Sequence, residues 1–157
     1  MKPLELTLEF TRSSREPFQL REQTYLQRKE TGRFQEASLS WGEALLPDLA
    51  ELGTPRPAPA TVHRLGELLR GFLNQVGWES YEARIQEALR DNQPVFLSFQ
   101  FDADELYALP WELLTLGSSG QRLAELPGFV LAGPYVHCVQ CLRLVPYSSA
   151  DMSACVT

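Results

Sequence analysis

Thiols and imidazoles carry most of the reactive chemistry available to this chain, which holds three cysteines and two histidines. Cys138, Cys141 and Cys155 all fall in the last twenty residues, and His137 directly precedes the first of them. A cysteine nucleophile needs a base within hydrogen-bond reach. Tyr135 to Val145 reads as a strand, on which His137 and Cys138 point to opposite faces and cannot form that dyad. His137 and Cys155 meet only if the tail folds back, and the stretch from Pro146 to Ala154 contains little to fix such a turn. His63, on a helical stretch, reads as a surface residue. No catalytic residue is therefore assigned.

The same cluster holds zinc-type ligands, with a Cys-x-x-Cys spacing between Cys138 and Cys141. On a strand these two face opposite sides, and no glycine between them makes the tight turn of a zinc knuckle. Free cysteines on a buried strand are expected, with no metal site. Gly117-Ser118-Ser119-Gly120 lacks the lysine and the strand-to-helix setting of a phosphate-binding loop, so no cofactor is expected either.

The net charge is −6, from 14 basic and 20 acidic residues, which disfavours binding to nucleic acid or to an anionic membrane. No apolar run approaches the roughly 20 residues that span a bilayer. The N-terminal residues alternate apolar with polar and include Glu5 and Glu9, unlike a signal peptide, which predicts a cytoplasmic protein. Arg64, Arg70, Arg84 and Arg90 fall on polar helix faces and read as solvated.

The elements that position these residues begin with Leu4, Leu6, Leu8 and Phe10, which alternate with polar residues as in a half-buried strand. Gln23 to Lys29 and Arg33 to Trp41 flank Glu30-Thr31-Gly32 and read as an antiparallel hairpin, with Gly32 at positive φ. A short helix over Glu43 to Leu52 has Pro47 inside it or in its first turn. Residues 53–60 form a Pro-rich connector. Thr61 then caps a helix with Val62, Leu65, Leu69, Phe72, Leu73 and Val76 on one stripe, stopped by Gly77. A second helix runs from Trp78 to Asp91-Asn92. Pro94 to Phe101 is a strand whose first half is apolar on both faces, as in a parallel sheet with helices on each side.

Past that strand, Asp102 or Asp104 is placed to cap a helix start, with Glu105 near its positive end. Leu109, Pro110, Trp111, Glu112, Leu113 and Leu114 follow, with Pro110 forcing a kink or a fresh helix start and Trp111 driven into the core. This Leu-Pro-Trp-Glu-Leu-Leu segment, its preceding strand, acidic turn and following glycine-containing loop resemble a CHAT domain, the bacterial caspase relative. The resemblance covers roughly residues 55 to 131.

The resemblance implies an α/β fold, a partial caspase-like and mostly parallel sheet flanked by helices, with an N-terminal antiparallel hairpin unit. Residues 1–52 form that β-rich unit, 61–145 the CHAT-like portion and 146–157 a loop or disordered tail. In the family, a histidine in a glycine-flanked turn activates a cysteine at the end of the next strand, both downstream of the Leu-Pro-Trp-Glu segment. Only 43 residues follow Leu114 (157 minus 114), and they contain neither motif. The expectation is a non-catalytic scaffold or interaction module of bacterial defence or signalling, with a protein partner or a second copy covering an open sheet edge. The alternative is part of a cysteine peptidase whose histidine and cysteine lie on a missing or separate segment. A third reading is an unrelated α/β protein with a ligand near Trp111 and Glu112.

Overall fold

The computed structural model of the chain describes residues 2–29, 31–117 and 120–132. Five strands build one mixed sheet: β1 (Leu4–Arg12), β2 (Glu22–Arg28), β3 (Phe34–Ser40), β4 (Val95–Phe101) and β7 (Phe129–Ala132). Their spatial order is β3-β2-β1-β4-β7. The hairpin pairings β1–β2 and β2–β3 are antiparallel, whereas β1–β4 and β4–β7 are parallel. The expected mostly parallel sheet is therefore evenly mixed. β5 (Thr115–Leu116) and β6 (Gln121–Arg122) form a separate two-stranded ribbon.

Gly32 takes the expected positive φ of 76° in the β2–β3 turn. Residues 1–52 contribute β1 to β3 and the helix α1 (Leu45–Leu52), with Pro47 in its first turn. β1 lies beside β4, so the segments on either side of the Pro-rich connector share one sheet. The helix α2 spans Pro59–Asn74 and starts two residues before Thr61. Pro59 occupies its first turn, where a missing amide hydrogen is harmless. The hydroxyl of Thr61, no cap, instead donates to Glu51 at 2.7 Å. Gly77, at φ 76°, turns the chain into α3 (Trp78–Arg90), and Asn92 at φ 55° ends the turn that follows.

Among the described residues, the three helices and the 3-10 turns pack on one face of the sheet. Leu6, Leu8 and Phe10 of β1 and Val95, Leu97 and Phe99 of β4 point into that core. The ring of Phe72 from α2 meets Phe10 at 5.3 Å and Tyr25 at 5.8 Å. The opposite face carries Glu5, Thr7, Glu9 and Thr11 of β1 and Phe96, Ser98 and Gln100 of β4. Phe96 is 37% exposed there. The expectation of helices on both sides of β4 is thus corrected: among the described residues one face is bare. Ser98 and Gln100 share that face with Phe96, and their polarity suits water better than a second helical layer.

Gly66 fixes how closely α2 approaches the end of the core. A Cβ there would stand 2.7 Å from the carbonyl oxygen of Leu113, a backbone atom that cannot rotate away. Gly71, on the same helix, faces open space. Gly71→Ala is expected to stabilise the fold by about 0.5–1 kcal/mol through helix propensity. Gly66→Ala, despite the same propensity gain, should lose about 1–3 kcal/mol through overpacking. Urea denaturation of the two variants measures both signs. A stabilised Gly66→Ala would show that this approach is not tight.

Candidate functional site

The C-terminal ends of β1 and β4 lie side by side, and the chain leaves them in opposite directions, toward β2 from β1 and toward β7 from β4. Such a switch point is where open α/β sheets commonly place a site. Two 3-10 turns follow β4, Asp104–Ala108 and Trp111–Leu113. Neither Asp102 nor Asp104 caps the first of them. Its N-cap is Ala103 without a side-chain bond, and Asp102 accepts a 3.3 Å hydrogen bond from Thr11 instead.

Glu105 also departs from its expected role beside a helix dipole, because a 3-10 turn this short has little dipole to offer. Its carboxylate accepts from Arg12 Nε at 2.8 Å and forms a second hydrogen bond with the same guanidinium. The Tyr25 hydroxyl donates to Glu105 at 3.0 Å and accepts from the Trp41 indole at 2.8 Å. Four residues from β1, β2, the end of β3 and the first 3-10 turn are linked in one network. Burial pushes the Glu105 carboxyl up, but Arg12, backbone and Tyr25 hydrogen bonds together hold it below its ordinary value. Burial, then the adjacent Glu105 charge, push the Tyr25 hydroxyl well up, so it stays a neutral donor. The geometry is that of a structural clasp, with every oxygen of Glu105 occupied.

Within the Leu109–Leu114 segment, Leu109, Pro110, Leu113 and Leu114 are buried and Glu112 is half-buried. Trp111 is 4% exposed. Its ring lies 4.5 Å from Phe99, 5.3 Å from Phe101 and 6.3 Å from Phe72, and its indole donates to the Leu106 carbonyl at 2.8 Å. Trp111 therefore closes the core beneath the strand ends and leaves no room for a ligand on the indole. Pro110 precedes a fresh turn, and Leu109 before it is extended at ψ 140°, as the proline ring favours. The Tyr107 hydroxyl accepts from the Phe101 amide and donates to the Phe101 carbonyl, closing the end of β4.

Sequence reasoning missed a second buried carboxylate, Glu82 on α3. It accepts from Arg70 at 3.0 and 3.2 Å, from the Trp78 indole at 2.9 Å and from the Gly117 amide at 2.9 Å. Arg70 is thus an ion-pair partner rather than a solvated residue. Arg64 pairs with Asp48 at 2.6 Å, and Arg90 donates to the Gln86 carbonyl at 3.3 Å. The signal for Glu82 was Trp78 four residues earlier, one helical turn away on the same face.

The outer edge of β3 is also occupied. Gln75, just past α2, accepts from the Ser38 amide at 2.8 Å and donates to the Ser38 carbonyl at 2.9 Å. A side-chain amide so placed mimics a neighbouring strand and blocks edge pairing at that point.

His63 is exposed on α2. His137, Cys138, Cys141 and Cys155, and the strand expected over Tyr135 to Val145, lie outside the described residues. Among the described residues no three His, Cys, Asp or Glu side chains gather in a metal-binding arrangement. No described helix is long and apolar enough to cross a membrane. Compared with protein-family models, with curated proteins and with solved structures, the chain matches none.

The clasp predicts a specific acid response. A lowered folded-state pKa means the unfolded chain binds the Glu105 proton more readily. The stabilisation is complete above the ordinary glutamate range and is lost as pH falls through the lower, folded value. Glu105→Gln should destabilise the protein by about 2–3 kcal/mol at pH 7, since Arg12 loses its counter-charge. It should also flatten the acid limb of a stability–pH profile measured by urea denaturation. An unchanged acid limb would remove Glu105 from the acid response.

Proposed function

We propose that this chain is a non-catalytic, caspase-like interaction module of the CHAT type, serving a bacterial defence or signalling system by binding another protein. The supporting resemblance is the Leu-Pro-Trp-Glu-Leu-Leu segment after an apolar strand and acidic turn. Its tryptophan seals the core under two parallel strand ends, a role suited to an anchor in a sheet of this kind.

One observation carries the functional reading. Among the described residues the sheet is clad with helices on one face and bare on the other, where Phe34, Phe96 and Val130 stand at least one-third exposed. Phe96 and Val130 are register neighbours there, with Phe34 apart from them on β3, and exposed apolar side chains side by side on an uncovered face mark an interaction surface. The carboxylates with the best-defined partners, Glu105 and Glu82, are spent on holding segments together and serve no open cleft.

Two measurements on the full chain test this reading. Incubation with a mixture of fluorogenic peptides should give no turnover above that of the buffer. Turnover abolished by Cys155→Ser or Cys138→Ser would instead restore the peptidase alternative. The double variant Phe34→Ser/Phe96→Ser should lower fluorescence of the apolar dye ANS and change stability by less than about 1 kcal/mol, as surface positions do. A loss of about 3 kcal/mol or more, typical of core aromatics, would mean these rings are core, not interface.

A further inference from the structure

We infer that the bare face of the sheet docks a basic, amphipathic segment of the partner protein. This rests on the reading of the chain as an interaction module and names the chemistry of what it binds.

The first ground is charge. Glu5 and Glu9 of β1, Glu22 of β2, Glu36 of β3 and Asp102 just past β4 share the side of the sheet opposite the helices. Arg28, opposite Glu9 in the β1–β2 register, is the basic side chain on these strands that shares it. The alternation of β1 and its registers with β2 and β4 put these residues on one side. A neutral apolar partner would strip water from these carboxylates and leave them unpaired, a desolvation cost with nothing to offset it. A second copy presenting the same face would bring like charges together. Lysine and arginine avoid both penalties, since their stems lie on apolar rings while their heads reach carboxylates.

The second ground is shape. A hollow of about 440 Å³ opens at the ends of β1 and β4, with Leu26 and Phe34 on one side and Tyr107 on the other. Glu9, Asp102 and Arg28 also line it, so two carboxylates face one resident cation, and the excess of negative charge beside the rings suits the stem and head of a long cationic side chain. Phe34 on β3 and Val130 on β7 lie four strand spacings apart, about 19 Å, and four residues apart along the strands, about 13 Å, so the diagonal between them is about 23 Å, or the length of roughly 15 helical residues. Gln75 already occupies the β3 edge at Ser38, so a partner strand cannot add there and the face is the surface that remains on that side.

The test titrates the full chain into a fluorescein-labelled synthetic helix of about 15 residues with leucine on one side and lysine on the other. A leucine–glutamate helix of equal length serves as control, and anisotropy reports binding. Glu9→Lys/Glu36→Lys alters the bare face. Glu67→Lys/Glu87→Lys makes the same change in net charge on exposed helix positions. The face pair should weaken binding at least about tenfold and the helix pair less than about threefold, because contact charges outweigh distant ones. Glu9→Gln/Glu36→Gln, a milder change, should follow the face pair in direction if the lysine variant fails to fold. Equal weakening by both pairs would reduce the effect to net charge and overturn the proposal. So would binding of the leucine–glutamate helix as tight as that of the leucine–lysine one, or no binding at all. If peptide hydrolysis and dye binding meanwhile behave as expected above, only the basic partner falls and the module reading stands.

Discussion

The parallel ladder between β1 and β4 is the constraint around which everything else is arranged. It pairs Leu4 to Phe10 with Val95 to Phe101, residue for residue. The intervening chain is long, with Thr11 and Asp102 in contact across 91 positions of sequence. Bringing such distant strands together carries a large loop-closure entropy, which only extensive burial offsets. That burial comes from the aromatic cluster of Phe10, Phe72, Phe99, Phe101 and Trp111, contributed by both strands, by α2 and by the turn after β4. The hairpin of β2 and β3 and the short β7 then add at either side.

Around this core, polar side chains act as fasteners at the places where secondary structure stops. Glu105 ties the turn after β4 back to β1 and β2. Glu82 joins α2 to α3 and holds the backbone at Gly117. Gln75 occupies the outer edge of β3. Each joins separate segments through its side chain, and each accepts from a donor that would otherwise be left without a partner. This is the behaviour expected of buried or edge polar groups, whose value lies in specificity as much as in net stability.

Local pattern made much of the fold readable. The alternation of β1, the Gly32 turn, the two amphipathic helices and the apolar β4 all follow from period and punctuation, which depend only on near neighbours. What remained hidden was long-range. Nothing near Arg70 announces that Glu82 will be buried beside it, and nothing near Gln75 announces a β3 edge. The bare face was half visible, because the polar partners of Leu6 and Leu8 in β1 called for water. Phe96 obscured it by giving β4 the look of a strand covered on both sides. Thr61 is a good capping type and masks the start of α2, for which proline at the first helical position is the better signal. The Leu109–Leu114 segment stands out by resemblance, and its burial follows from the size of the indole and the stiffness at Pro110.

An acidic, aromatic-studded face also governs the colloidal behaviour of the protein. Well above its isoelectric point, near pH 5.0, the carboxylates keep neighbouring molecules apart despite the rings beside them. Added salt screens that repulsion while the rings remain, and the surface becomes cohesive. High ionic strength therefore lets molecules meet on a side of the sheet where dilute buffer holds them apart.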